Sequence, residues 1–135
     1  MSLTLGELRG MTSTILNALK AQGISDSNEL LEATKTPSDR KALASATGVD
    51  GAIILDLANR ADLARIKGIG RVYSDLMEES GVDTVKELAK RVPGNLHTKL
   101  IEINSVRQYT QRPPSAEQIG DFVEQAKKLP PMLEY

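Results

Sequence analysis

The sequence predicts an all-α fold made of two consecutive copies of one helical pattern and a C-terminal helix. Three observations lead to this prediction. Glycines and helix-capping residues recur at helix-length intervals, no stretch alternates apolar and polar residues strictly enough for a strand, and aromatic residues make up only 3% of the 135 residues. The core must therefore come from Leu, Ile, Val and Ala side chains on helices. We expect about nine or ten short helices.

The two copies are related by a shift of 58 residues without a gap. Leu8-Arg9-Gly10-Met11 aligns with Ile66-Lys67-Gly68-Ile69, and Gly23-Ile24 aligns with Gly81-Val82. Self-similarity at a fixed spacing indicates a duplicated structural unit. The predicted domains are residues 1–62, residues 63–112, and a C-terminal helix with a Pro-rich tail over residues 113–135, packed on the body as one globular unit.

The first copy contains two predicted turns between helices, at Gly10 and at Gly48. Thr36-Pro37 predicts a helix start, because Thr caps the N-terminus and Pro fits the first helical position. Gly48 can end that helix, and Asp50 can cap the next one. Both turns look degenerate, since Thr12 aligns with Gly70 of the second copy and Asp50 would repel an anion.

The second copy begins with the most informative stretch, Ile66-Lys67-Gly68-Ile69-Gly70-Arg71. Gly68 can adopt the left-handed conformation that ends a helix, and Ile69 should be buried. Gly70 lacks a Cβ where the backbone of another chain would have to come close. The free N–H groups at the start of the following helix suit a phosphate, and the flanking cations add charge. The predicted nucleic-acid-binding residues are Arg65, Lys67, Gly68, Ile69, Gly70 and Arg71.

The remaining signals place the later helices. Gly81 should end the helix that starts after Gly70, and Asp83 and Asn95 should cap the next two. The fourth turn is expected at Asn104-Ser105-Val106-Arg107, which contains no glycine.

A last amphipathic helix is expected from the capping box Ser115-Ala116-Glu117-Gln118 to about Lys128. Ile119, Phe122, Val123 and Ala126 fall on one of its faces. The helix cannot continue through the prolines that follow it. The apolar tail, residues 129–135, either docks on the body or awaits a partner, and we favour docking.

The Gly-apolar-Gly turn, with Leu76 and the Gly81-Val82 step behind it, resembles the helix-hairpin-helix superfamily. In that superfamily the turn usually holds a nucleic-acid phosphate without reading sequence. The whole chain, over roughly residues 5–128, is similar to an uncharacterised bacterial family described as a domain of unknown function. The resemblance thus implies two tandem paired helix-hairpin-helix units, but it implies no reaction. Superfamily turns sometimes hold a monovalent cation through carbonyl groups, and we expect none here.

Two functions follow as hypotheses. The first is weak, sequence-independent binding of double-stranded DNA through the turn at residues 66–70. The alternative is a protein-interaction or scaffold module with vestigial hairpins, which binds a protein partner through the tail. A purely structural interpretation is that the same glycines form a tight turn needed only for folding.

Composition and charge narrow the remaining classes. The net charge is −1, but residues 1–58 carry five Lys or Arg against seven Asp or Glu, whereas residues 59–112 carry ten against seven. There is no Cys, and neither a catalytic Ser/His/acid arrangement nor a metal-ligand cluster stands out. We expect no enzyme, no cofactor and no metal. The start, Met1-Ser2-Leu3-Thr4, lacks a leader-like pattern and no segment approaches a membrane span, so we expect a cytoplasmic protein.

Overall fold

The computed structural model describes residues 3–135, and over that range its regular secondary structure is helical, which confirms the prediction of an all-α fold. Met1 and Ser2, on which part of the expectation about the chain's start depends, lie outside the described residues. A short 3-10 helix at Leu5–Glu7 precedes the α-helices. The α-helices are α1 (Ser13–Ala21), α2 (Ser27–Glu32), α3 (Pro37–Thr47), α4 (Gly51–Leu63), α5 (Arg71–Glu79), α6 (Val85–Ala89), α7 (Pro93–Arg107) and α8 (Ala116–Lys128).

Most of these helices begin at a residue whose side chain accepts a hydrogen bond from a backbone N–H of the first turn. The capping residues are Thr12, Asp26, Thr36, Asp50, Thr84 and Ser115. The predicted starts at Thr36 and at the Ser115 capping box are confirmed. Two predicted caps are wrong: Thr84 rather than Asp83 caps α6, and α7 begins at Pro93, two residues before Asn95.

Two hydrophobic clusters form the core. The first cluster draws its fully buried side chains from residues 3–64, and the second from residues 63–126. In the first, α2 and α3 pack against α4, and α1 contacts α3; in the second, α6 and α7 pack against α8, and α5 contacts α7. The last helix of each group of four therefore covers the apolar faces of the helices before it.

Corresponding turns in the two halves share their hydrogen bonds. Gly23 and Gly81 both have positive φ, 80° and 89°, and both follow a nine-residue helix. In each case the N–H of the next residue returns to the helix, from Ile24 to the carbonyl of Leu19 at 3.1 Å and from Val82 to that of Met77 at 2.9 Å. These bonds end α1 and α5 in the same way.

The predicted fourth turn at residues 104–107 is wrong, because these residues form the last turn of α7. The helix ends at Gln108, which takes the left-handed conformation with φ of 51°, and a loop over residues 108–115 follows. As a result α8 starts 65 positions after α4, at Ala116 rather than seven residues earlier. The 58-residue spacing therefore holds for α1 and α5 but not for the last helix of each half.

The tail docks on the body, as predicted, and it docks on the first half. The N–H of Glu134 donates to the carbonyl of Lys35 at 2.7 Å, and the Arg40 guanidinium donates to the carbonyl of Glu134 at 2.6 Å. The Tyr135 hydroxyl donates to Asn59 Oδ1 at 2.7 Å. Met132 and Leu133 pack against the first cluster, so the end of the chain completes the core of its beginning.

Candidate nucleic-acid interface

The third turn, residues 66–70, connects α4 to α5 through a short irregular segment. The helix α4 ends at Leu63, five residues before Gly68, so the prediction that Gly68 itself ends the helix is wrong. Gly68 does adopt positive φ, at 102°. Ile66 and Ile69 are fully buried in the second cluster, and the N–H of Ile69 donates to the carbonyl of Ile66 at 3.1 Å. The predicted burial of Ile69 is therefore confirmed.

The two glycines of this turn differ in what the fold requires of them. Gly68 is required twice, because its φ is left-handed and because a Cβ there would lie 2.8 Å from Cε1 of the buried Phe122. Gly70 has a φ of −99°, which any residue can adopt, and a Cβ there would meet no atom within 4 Å. Neither conformation nor packing within the described residues explains the glycine at position 70.

Gly70 is the N-cap of α5, and it leaves the start of this helix open. Within residues 3–135 the N–H groups of Gly70, Arg71, Val72 and Tyr73 have no protein acceptor, and α5 has no side-chain cap. Arg71 is exposed and Val72 is 42% exposed. The described part of the chain has one other α-helix without a side-chain cap, α7, and it begins with a proline that has no N–H to satisfy. The start of α5 thus presents adjacent donors to solvent, a geometry that suits an anion.

Gln125 of α8 holds the main chain of Lys67 on both sides. The N–H of Lys67 donates to Gln125 Oε1 at 2.8 Å, and Gln125 Nε2 donates to the carbonyl of Lys67 at 3.0 Å. These two bonds fix the backbone of the turn, while the Lys67 side chain is exposed and forms no salt bridge within the described residues. Sequence analysis missed Gln125, since nothing in its neighbourhood along the chain signals a contact with the turn.

The structure separates the three predicted cations. Arg71 is exposed and forms no salt bridge with another described residue, so it lies beside the open amides with its charge available. Arg65 is turned away from the turn: its side chain is 11% exposed, pairs with Asp62 at 2.9 Å and donates to the carbonyl of Pro130 at 2.6 Å. Lys67 and Arg71 therefore flank the open amides along the chain with their charges unpaired within the described residues, whereas Arg65 is engaged.

The carboxylates of α5 are paired rather than freely solvated. Arg60, only 4% exposed, contacts Asp75 at 2.5 Å and also pairs with Glu78. Glu79 pairs with Arg9 at 3.3 Å and with Arg107 at 3.6 Å. Partial burial lowers the pKa of Arg9, but the nearby carboxylates of α5 outweigh it and the net shift is upward. Their negative charge is thus largely compensated behind the open end of the helix.

Two other carboxylates lie on the α8 side of the turn. Glu117 and Asp121 line a shallow depression with Lys67 and Gly68, and Asp121 accepts a hydrogen bond from Gln125 at 2.9 Å. An anion approaching the amides is therefore attracted from the α5 side and repelled from the α8 side. The arrangement suits a small number of phosphate contacts rather than a broad cationic surface.

Neither a metal site nor a membrane-spanning helix is found among the residues that the structure describes. Over residues 3–135, no group of three or more His, Cys, Asp or Glu side chains could hold a metal ion. None of the helices between Leu3 and Tyr135 combines the length and the apolar character needed to cross a bilayer.

Comparison with known proteins gives a family but no activity. A family model described as a domain of unknown function (DUF4332) matches residues 9–129. No curated protein and no solved structure matches the chain.

Proposed function

The chain belongs to the DUF4332 family, and because that description names no activity, we propose from the geometry that it binds double-stranded DNA weakly and without sequence preference through the third turn. The observation that carries the proposal is Gly70, a glycine that the fold does not require, at the open N-terminus of α5. A phosphate seated there would accept hydrogen bonds from the free amides of Gly70, Arg71 and Val72. Lys67 and Arg71 would add charge without meeting a base edge.

We further propose that the turn belongs to one of two tandem helix-hairpin-helix pairs that arose by duplication. The support is the equal length and 58-residue spacing of α1 and α5, their matching C-terminal hydrogen bonds, and the same order of packing partners in both halves. On this proposal the seven-residue offset of α8 is an insertion in the loop over residues 108–115.

Duplex backbone contact accounts for the surroundings better than single-strand stacking. Phe122 is buried, and Tyr73 is half-buried with its hydroxyl donating to the carbonyl of Arg112 at 2.7 Å. Neither ring is available for a base to stack on, as single-strand binding requires. Two free cations and a few amides predict weak binding with a shallow salt dependence, on the order of one to two phosphates neutralised.

The test is a titration of a labelled duplex at about 50 mM and about 200 mM salt, followed by anisotropy. The double variant Lys67→Ala/Arg71→Ala should lose binding at low salt while its circular dichroism and melting temperature stay unchanged. The matched control, Lys20→Ala/Lys41→Ala, changes the net charge equally at two exposed positions of the first half and should bind as the parent does.

Equal binding by parent and Lys67→Ala/Arg71→Ala would refute the proposal. Absence of duplex binding by the parent at low salt would favour the alternative, a protein-interaction module. The tail, through which such a module was expected to bind its partner, is itself docked: its backbone and its last side chain are hydrogen-bonded to the first half.

A further inference from the structure

A separate cleft of about 350 Å³ lies between α6, the end of α8 and the tail, and Arg65, which precedes the third turn, also lines it. Its volume is at the lower end of small-molecule pockets, about 300–1,000 Å³. The walls are mainly apolar and include Val85, Ala89, Ala126, Leu129, Met132 and Leu133. Because the docked tail supplies one wall, the hydrogen bonds of Glu134 and Tyr135 to the first half hold the cleft in shape.

The charges that line this cleft are unbalanced. Lys86 of α6 and Lys90, the residue after its end, are four positions apart, both exposed and both without a salt bridge in the described part of the chain. Lys127 of α8 also lines the cleft and pairs with Glu124 on the surface.

The acidic groups of the lining do not neutralise these lysines. Asp62 has both carboxylate oxygens engaged, Oδ1 by Arg65 at 2.9 Å and Oδ2 by the N–H of Val85 at 2.8 Å. Tyr135, the other acid of the lining, is a neutral phenol near pH 7. The cleft therefore combines an apolar interior with two lysines that form no salt bridge within the described residues, while the charge of Asp83 acts on Tyr135 of the lining and raises its pKa.

We propose that this cleft binds an anionic amphiphile, namely a medium-chain linear carboxylate whose chain lies against the apolar walls and whose head group meets Lys86 and Lys90. The charge complementarity and the small, partly closed volume favour such a ligand over a helix of a partner protein. This proposal is independent of duplex binding, since it shares no residue with the third turn.

The first test is calorimetric titration of the full chain with hexanoate, octanoate and decanoate. Affinity should rise about threefold to fourfold for each methylene added until the cleft is full. Decylamine, with the same chain and the opposite charge, should not bind. The absence of saturable decanoate binding up to about 1 mM, or equal binding of decylamine, would overturn the proposal.

The second test locates the site. Lys86→Gln/Lys90→Gln should weaken decanoate binding about tenfold, because charge-assisted contacts to the head group are lost. Lys20→Gln/Lys41→Gln is the matched control and should bind decanoate as the parent does. Amide shifts in NMR spectra should move at Val85, Ala89 and Ala126 and stay in place at Gly70 and Arg71. Unchanged affinity in Lys86→Gln/Lys90→Gln, or shifts confined to other residues, would show that the cleft is not the site.

A third variant, Ala89→Phe, fills the cleft and should abolish binding where its melting temperature stays close to that of the parent. If Ala89→Phe does not fold, the variant Lys86→Gln/Lys90→Gln is sufficient to test the site. An acidic peptide that binds at Val85 and Ala89 where decanoate does not would identify a protein ligand and refute the proposal as stated.

Discussion

The first turn, residues 8–12, and the third turn, residues 66–70, have similar backbone conformations but differ at the start of the helix that follows. In both, a glycine takes positive φ, and the next residue donates a single-turn hydrogen bond, from Met11 to Leu8 at 3.2 Å and from Ile69 to Ile66 at 3.1 Å. In the first turn Thr12 caps α1 by accepting from the N–H of Ile15 at 3.2 Å. In the third turn the N-cap residue is Gly70, which has no side chain to accept a hydrogen bond from α5.

The flanking cations differ in the same direction. Arg9 of the first turn is engaged by Glu79, whereas Lys67 of the third turn forms no salt bridge with a described residue. The turn is thus satisfied by its own side chains in the first half and left open in the second. The residue at the N-cap therefore decides whether a side chain accepts a hydrogen bond from the first turn of the helix, as Thr12 does, or none does, as at Gly70.

The largest expected difference concerns the glycines with positive φ. Gly10→Ala should cost about 1–2 kcal/mol, the usual penalty for a left-handed residue with a Cβ. Gly68→Ala should cost a further 1–3 kcal/mol or so, because its Cβ would lie 2.8 Å from the ring of Phe122. Urea denaturation measures both losses. In a Phe122→Leu background the extra loss at Gly68 should shrink, and equal losses at the two glycines would contradict the packing argument.

The buried ion pair that anchors α5 has no counterpart in α1, where Asn17 occupies the position equivalent to Asp75. Asp75→Asn should destabilise the protein by about 2–3 kcal/mol, because it leaves the buried Arg60 guanidinium with Glu78 and Ser74 as its remaining side-chain partners. Asp56→Asn, at an exposed position of α4, should change stability by less than about 0.5 kcal/mol in the same urea series. Equal effects of the two changes would show that the pair contributes little.

The tail should loosen from the first half at high pH. Burial, with the charges of Asp62 and Asp83, raises the pKa of Tyr135 from 10.0 to about 12. Because the folded state holds this proton more tightly than the unfolded chain, the stabilisation is complete below pH 10 and is lost as pH rises towards 12.

The urea midpoint of the parent should therefore fall across this pH range more than that of Tyr135→Phe. At neutral pH the same substitution should cost less than about 1 kcal/mol, since it removes one half-exposed hydrogen bond. Parallel pH profiles of the two proteins would contradict the expectation.

The smallest expected change in stability comes from exchanging the two N-caps. Gly70→Ser should leave the free energy of unfolding within a few tenths of a kcal/mol, and Thr12→Gly should cost a similar small amount. Duplex binding should nevertheless fall several-fold in Gly70→Ser, because the new hydroxyl accepts one of the amides offered to phosphate. Anisotropy at low salt measures this loss. Undiminished binding by Gly70→Ser would show that the open end of α5 does not contribute to duplex binding.

Local signals predicted the helices well and their starts less well. Thr36 and Ser115 are correct caps because the backbone N–H groups that donate to their side chains follow within one turn. Asp83 and Thr84 are both good capping residues, and the choice between them is made by Asp62 of α4, which takes the N–H of Val85. Such a partner, 23 residues away, leaves no local trace in the sequence.

Sequence analysis located the third turn but not the contacts that its residues make. Sequence analysis treated Gly68 and Gly70 as a pair, whereas only the position of Phe122 shows that one glycine serves packing. Arg65 was predicted to be one of the cations beside the turn, but its partners are Asp62 and the carbonyl of Pro130 in the tail. Contacts between distant segments decide which cations remain free, so the free pair of Lys67 and Arg71 could not be distinguished beforehand.

The return of the tail to the first cluster interlocks the two halves. A fragment that stops after α4 lacks Met132 and Leu133 and leaves part of its core uncovered, whereas a fragment that starts at α5 carries these side chains with nothing to bury them. A single proteolytic cut in the loop over residues 108–115 would give two pieces that remain associated, because α8 covers the second cluster while the segment after it grips the first.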